Sequence, residues 1–207
     1  GLLQLTVHWE TGALGESAAQ PVVIDGVVYH LAGEYLWKVD LNQVNPPTAN
    51  ATPIQDPVLR VPVKVNRVPD GPWIAPQSSP TYSPETGILY FGTGYGWVWA
   101  YHTRQEWIRP VRLDTGCPIV GSPLVVHDRG RDVVVVADRP NYPGEENRPE
   151  GRPLCPRAHG KIWIIQVLED PTSTPLVQHY EAITQKDEEG GFGGFITPSA
   201  VAAPLHD

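Results

Sequence analysis

The chain has 207 residues, 41% of them hydrophobic and 9% aromatic, which is enough apolar material to offset chain entropy and excludes a wholly disordered polymer. Fifteen Lys and Arg against 23 Asp and Glu leave a formal charge of -8, and a nucleic-acid binder would need the opposite balance to neutralise phosphates. The 23 Pro and 20 Gly suit helix interiors poorly, and no run approaches the ~18 apolar residues of a membrane span, so an all-β fold with negligible helix and no transmembrane segment is expected.

The opening Leu3-Gln4-Leu5-Thr6-Val7-His8-Trp9 reads as a lone strand. It lacks the basic region and cleavage site of a signal peptide, and a signal already removed fits equally well. The chain contains no Met, so Gly1 is expected to follow processing or to open a piece of a longer gene product. An internal repeat then begins. Its first copy runs Gln20-Pro21-Val22-Val23-Ile24-Asp25-Gly26-Val27-Val28-Tyr29-His30-Leu31, then Tyr35-Leu36-Trp37-Lys38-Val39-Asp40. Its second runs Ser79-Pro80-Thr81-Tyr82-Ser83, Gly87-Ile88-Leu89-Tyr90-Phe91-Gly92, then Trp97-Val98-Trp99-Ala100-Tyr101. The third runs Ser122-Pro123-Leu124-Val125-Val126-His127-Asp128-Arg129-Gly130-Arg131-Asp132-Val133-Val134-Val135-Val136, then Lys161-Ile162-Trp163-Ile164-Ile165. A fourth starts at Thr197-Pro198-Ser199-Ala200-Val201.

Each copy has the same physical logic. A short apolar strand follows the proline, and glycine supplies the left-handed turn after it. The next strand is β-branched and aromatic, as suits a pleat buried on both faces. The third strand carries a Trp. Fourth strands are expected at 58–65, 107–113 and 175–180, and Pro62 and Pro110, which cannot donate to a ladder, place the first two at sheet edges. The Pro80-to-Pro123 interval matches a bare four-stranded blade of about 40–45 residues. The flanking intervals carry insertions at 42–56 and 139–158, rich in Pro, Asn and charge and so expected as surface loops.

The Ser-Pro-x-x-x-x-x-Gly-x-x-Tyr pattern, followed by Gly and a Trp- or Tyr-bearing strand, resembles the pyrroloquinoline-quinone-like β-propeller repeat. That family includes BamB-like outer-membrane assembly lipoproteins and the quinoprotein dehydrogenases. The resemblance covers about 14–138 and 160–207. Its usual Leu-Tyr-Ala-Leu third strand is replaced by Leu36-Trp37-Lys38-Val39, Val98-Trp99-Ala100-Tyr101 and Ile162-Trp163-Ile164-Ile165. It implies a partial propeller of about three full four-stranded antiparallel blades within a single repeat domain. The segments are an outer strand at 1–19, blades at 20–68, 69–113 and 114–183, and the start of a further blade at 184–207. An arc of this kind leaves sheet faces uncovered, so a protein partner, a second copy or the missing remainder of the same gene product is expected to complete the ring.

The chemistry-bearing residues point to binding rather than turnover. Seven histidines at 8, 30, 102, 127, 159, 179 and 206 include no recognised metal spacing, and His30, His102 and His127 are expected at strand ends. Asp187-Glu188-Glu189 beside glycines lacks the oxygen alternation of a calcium loop, and those glycines precede no Gly-Lys-Ser/Thr. Trp37, Trp99 and Trp163, one per copy, are expected to pack blade against blade. Dehydrogenases of the resembled family use adjacent cysteines with quinone and calcium. Here Cys117 and Cys155 are far apart, so a scaffold without cofactor is expected, in the cell envelope or outside the cell. A fragment or subunit of a PQQ- and calcium-dependent dehydrogenase is the alternative. The recognition residues singled out are Trp73, Tyr142, Glu145, Arg148 and Arg152, in segments joining strand ends. Cys117 and Cys155 read either as two small buried residues or as a disulfide, which an antiparallel meander makes reachable and an oxidising compartment would permit. Asn50-Ala51-Thr52 is a glycosylation sequon.

Overall fold

The computed structural model describes residues 14–43, 50–66, 78–112, 117–119, 121–138, 161–167 and 176–181. These form three four-stranded antiparallel sheets, each a simple meander, with no α-helix among the described residues. Sheet 1 holds β1 (Val22–Ile24), β2 (Val27–Ala32), β3 (Tyr35–Asp40) and β4 (Thr52–Pro53). Sheet 2 holds β5 (Thr81–Ser83), β6 (Ile88–Gly92), β7 (Trp97–His102) and β8 (Ile108–Arg112). Sheet 3 holds β9 (Leu124–Asp128), β10 (Arg131–Ala137), β11 (Lys161–Val167) and β12 (Leu176–Glu181). The all-β expectation therefore holds, with one sheet per repeat copy. Among the described residues no helix is long and apolar enough to cross a membrane.

Turn chemistry sets the first hairpin of sheets 1 and 3. Asp25 and Gly26 have φ of 48° and 79°, and Arg129 and Gly130 have 48° and 77°. Two successive left-handed residues make the two-residue loop whose twist matches the flanking strands. That loop pins Ile24 opposite Val27 and Asp128 opposite Arg131.

Packing follows from strand alternation. Every residue of β6 is buried, because sheet 2 lies between the other two. Ile88 and Tyr90 join Val98, Val134, Val136, Trp163 and Ile165 in the cluster between sheets 2 and 3. Leu89 and Phe91 join Tyr29, Leu31, Leu36 and Ile54 in the cluster between sheets 1 and 2. Gly92 closes β6 where Ile119 presses on it. A Cβ at Gly92 would fall within the Ile119 side chain, 2.7 Å from its Cβ. Of the recurrent tryptophans, Trp163 is buried between sheets 2 and 3, and Trp99 packs on the cluster between sheets 1 and 2.

The expected fourth strand of the first copy, 58–65, is not the one that pairs. β4 is Thr52–Pro53, from within the supposed insertion, with Trp37 opposite Pro53 and Lys38 opposite Thr52. Ile54 extends the contact by donating its N–H to Leu36 O at 2.8 Å. The cause is the turn that Asp56 builds. Its Oδ1 accepts from Val58 N at 2.8 Å and Leu59 N at 2.7 Å, which folds the chain back before a second strand can extend. The other two fourth strands, β8 and β12, lie close to the expected 107–113 and 175–180, and Pro110 sits on an edge strand. A second correction concerns His30, which lies inside β2 opposite Trp37 rather than at a strand end. The opening strand 3–9, the acidic run 187–189 and the start of the fourth copy lie outside the described residues.

Candidate functional site

Two features of the described residues stand out chemically: a buried carboxylate between sheets 2 and 3, and an apolar hairpin tip on sheet 1. Asp132 is the second residue of β10 and shares its inward face with Val134 and Val136, so the pleat drives it into the interior, where it is fully buried. Four donors meet it there. Oδ1 accepts from Ser83 Oγ at 2.9 Å and faces His127 Nδ1 at 3.0 Å. Oδ2 accepts from Tyr90 Oη at 2.8 Å and from Thr86 Oγ1. His127 comes from the neighbouring strand, directly opposite Asp132 in the ladder. Ser83, Thr86 and Tyr90 come from sheet 2.

The electrostatics hold those donors in place. Burial, and then the Asp132 charge, push the Tyr90 hydroxyl far above its ordinary value of 10.0, so it stays protonated and donating. The acceptor opposite it assigns the proton of His127 to Nδ1. Ser, His and Asp meet here, yet not as a nucleophilic triad. In a triad the serine donates to the histidine, whereas the Ser83 proton goes to Asp132 on the same oxygen that His127 faces. The arrangement can clamp two sheets together, and it commits the Ser83 hydroxyl elsewhere than to a histidine base. A smaller node stands nearby: Asp138 accepts Lys161 N and Trp163 Nε1, each at 2.7 Å.

The tip is the inverse case. Val58, Leu59 and Val61 are 84%, 70% and 50% exposed, and they are three of the five large hydrophobics exposed among the described residues. Asp56 holds them with its two side-chain bonds, while Arg60 N donates to Asp56 O at 3.0 Å and Asp56 N to Val61 O at 2.9 Å. Arg60 takes the left-handed conformation at φ 57°. Gln55 bridges Pro62, and Val63 N donates to Ile54 O at 3.0 Å, anchoring the base. Lys38 of β3 pairs with Glu106, in the turn between β7 and β8, at 2.8 Å. The hydrogen bond and charge of Lys38 lower the Glu106 carboxyl, and Arg60 adds to that field.

Of the residues singled out in the sequence, Trp73, Tyr142, Glu145, Arg148, Arg152 and Cys155 lie outside the described residues. Cys117 is fully buried and disulfide-bonded. Asn50 is exposed. Sequence reasoning passed over both features described above. Asp132 was detectable by parity, as an acid on the same face as Val134 and Val136. The tip was hidden because its alternating valines mimic a strand. Among the described residues no group of three or more His, Cys, Asp or Glu is placed to hold a metal ion. No protein-family model matches the chain, and no curated protein matches it.

Proposed function

We propose that the chain is a non-enzymatic binding and scaffold module of the pyrroloquinoline-quinone-like propeller type, mediating protein–protein contact outside the cell or in the cell envelope. Its stacked sheets would be consecutive blades, and the 56–61 tip its principal contact. The observation that carries the reading is the tip itself. Apolar side chains this exposed lower solubility without benefit unless something covers them. Here they are held by backbone and Asp56 hydrogen bonds, so docking would cost little ordering entropy. A partner with an apolar pocket and an acidic rim facing Arg60 fits this display. The net charge of -8 disfavours an anionic lipid surface.

Two further observations support the reading. The polar groups around Asp132 are spent on joining sheets, as a scaffold requires. The disulfide at Cys117 suits an oxidising compartment, and Cys155 is the other cysteine of the chain, so the reading includes a Cys117–Cys155 bridge. It needs no cofactor.

The test is to select ligands for the immobilised protein from a displayed random-peptide library and measure them on wild type and on V58S/L59S. Loss of roughly 30-fold or more in affinity, with unchanged unfolding, is the expected result for a hot spot. Ligands that bind the variant equally well, or binding of wild type to phosphatidylcholine–phosphatidylglycerol vesicles, would overturn the assignment of the tip. Dye reduction on adding pyrroloquinoline quinone and calcium would overturn the non-enzymatic reading.

A further inference from the structure

The interior of the stack has two kinds of sheet face, and they mate in one order. The ladders identify equivalent positions. Trp37 lies opposite His30, Trp99 opposite Phe91 and Trp163 opposite Val136. Trp163 and Val136 pack toward sheet 2, and Trp99 and Phe91 pack toward sheet 1. So the tryptophan face of each sheet is laid on the opposite face of the sheet before it. The receiving face is also the same each time by register. On sheet 2 it presents Ile88, Tyr90, Val98 and Ala100. The matching positions on sheet 3 are Val133, Val135, Ile162 and Ile164, and β9 adds Val126 at 36% exposure.

The two ends of the stack therefore carry complementary faces. Among the described residues nothing packs on the tryptophan face of sheet 1, where Trp37, His30 and Tyr35 are half-buried and in neither apolar cluster and Val23 is 60% exposed. Among the described residues nothing packs on the aliphatic receiving face of sheet 3 either, whose Val133, Val135, Ile162 and Ile164 are half-buried and in neither cluster. The same pairing has formed twice within the chain, so a second copy brings to each open face a surface of the kind that covers its equivalents.

We infer that two copies of this chain associate head to tail, the Trp37 face of one seated on the Val133–Val135–Ile162–Ile164 face of the other. The contact is heterologous, so it either closes into a ring or propagates. It rests on the reading of the sheets as consecutive blades, and it deepens that reading by naming the partner of the open faces.

Light scattering on the full chain across a concentration series tests it. Wild type is expected as a dimer or a larger closed species. Ile164→Lys, which blocks the receiving face, and Trp37→Ser, which blocks the tryptophan face, should each weaken association roughly 30-fold or more. Mixing the two variants should restore a dimer, since each retains the face the other lacks. A symmetric interface would give no such rescue. Val126→Lys serves where Ile164→Lys fails to fold by circular dichroism, and Tyr35→Lys where Trp37→Ser does. A wild-type monomer at all concentrations, association unchanged in folded variants, or no rescue on mixing overturns the inference. V58S/L59S should associate like wild type, so losing self-association leaves the tip reading standing, and losing tip binding leaves self-association standing.

Discussion

Replacing Asp132 with Ala should be among the most damaging single changes available to the described residues. The substitution leaves four donors without their shared acceptor: Ser83 Oγ, Thr86 Oγ1, Tyr90 Oη and His127 Nδ1. Their fates differ by burial. Thr86 is partly exposed and the His127 side chain is 26% exposed, so both can turn to water. Tyr90 and Ser83 are 0% and 2% exposed and cannot, but Ser83 Oγ has a second acceptor in Glu85 Oε2 at 3.5 Å. Tyr90 is the donor left stranded, at about 1–3 kcal/mol, and the lost Ser83 and His127 bonds add about 0.5–1.5 kcal/mol each, so the change costs roughly 2–6 kcal/mol. Domains of this size have a stability of only about 5–15 kcal/mol, so the variant should be close to unfolding in mild denaturant. Tyr90→Phe alone removes a donor and leaves three, and should cost about 1 kcal/mol. The double variant is the diagnostic one. With the hydroxyl already gone, D132A strands one group fewer, so the combined loss should fall short of the sum by about 1–3 kcal/mol. Urea unfolding of the four proteins, followed by tryptophan fluorescence, supplies the cycle. Additive losses, or a D132A midpoint like that of wild type, would refute the picture of Asp132 as a clamp between sheets 2 and 3.

Gly92→Ala should destabilise by about 1–3 kcal/mol, because the new methyl enters the Ile119 side chain, and adding Ile119→Ala should recover part of the loss in the same unfolding assay. Burial lowers the His30 imidazole below its ordinary value of 6.5, so the unfolded chain binds the proton more readily. This contribution to stability is present above pH 6.5, declines as pH falls toward the folded value and is flat below it. His30→Gln should flatten that part of the pH profile in thermal melts, and an unchanged profile would reject burial as the cause. Cys117→Ala removes the disulfide and should cost about 2–4 kcal/mol in the same unfolding assay, and two free thiols by intact mass before and after reduction and alkylation would refute the bridge.

How much of this was legible in the chain depends on whether local or distant contacts decided the outcome. Breaker content and the Pro-strand-Gly-strand repeat determine an all-β meander, because turn dihedrals and strand alternation are properties of neighbouring residues. Asp25-Gly26 and Arg129-Gly130 set their hairpins with no help from the rest of the molecule. The third-position tryptophans were legible for the same reason, as one period of a repeat. The edge strand of sheet 1 was not. Thr52–Pro53 and 58–65 were both eligible partners for β3, and the choice went to the segment that Asp56 leaves extended, which exposes the valines a strand would have buried. Nor was the burial of Asp132 legible as a meeting of four donors. Parity places it inward, but Ser83, Thr86 and Tyr90 reach it from another sheet more than forty positions away. Only the stacking of one sheet on another, driven by apolar area that no single copy can bury alone, brings those groups within hydrogen-bonding distance.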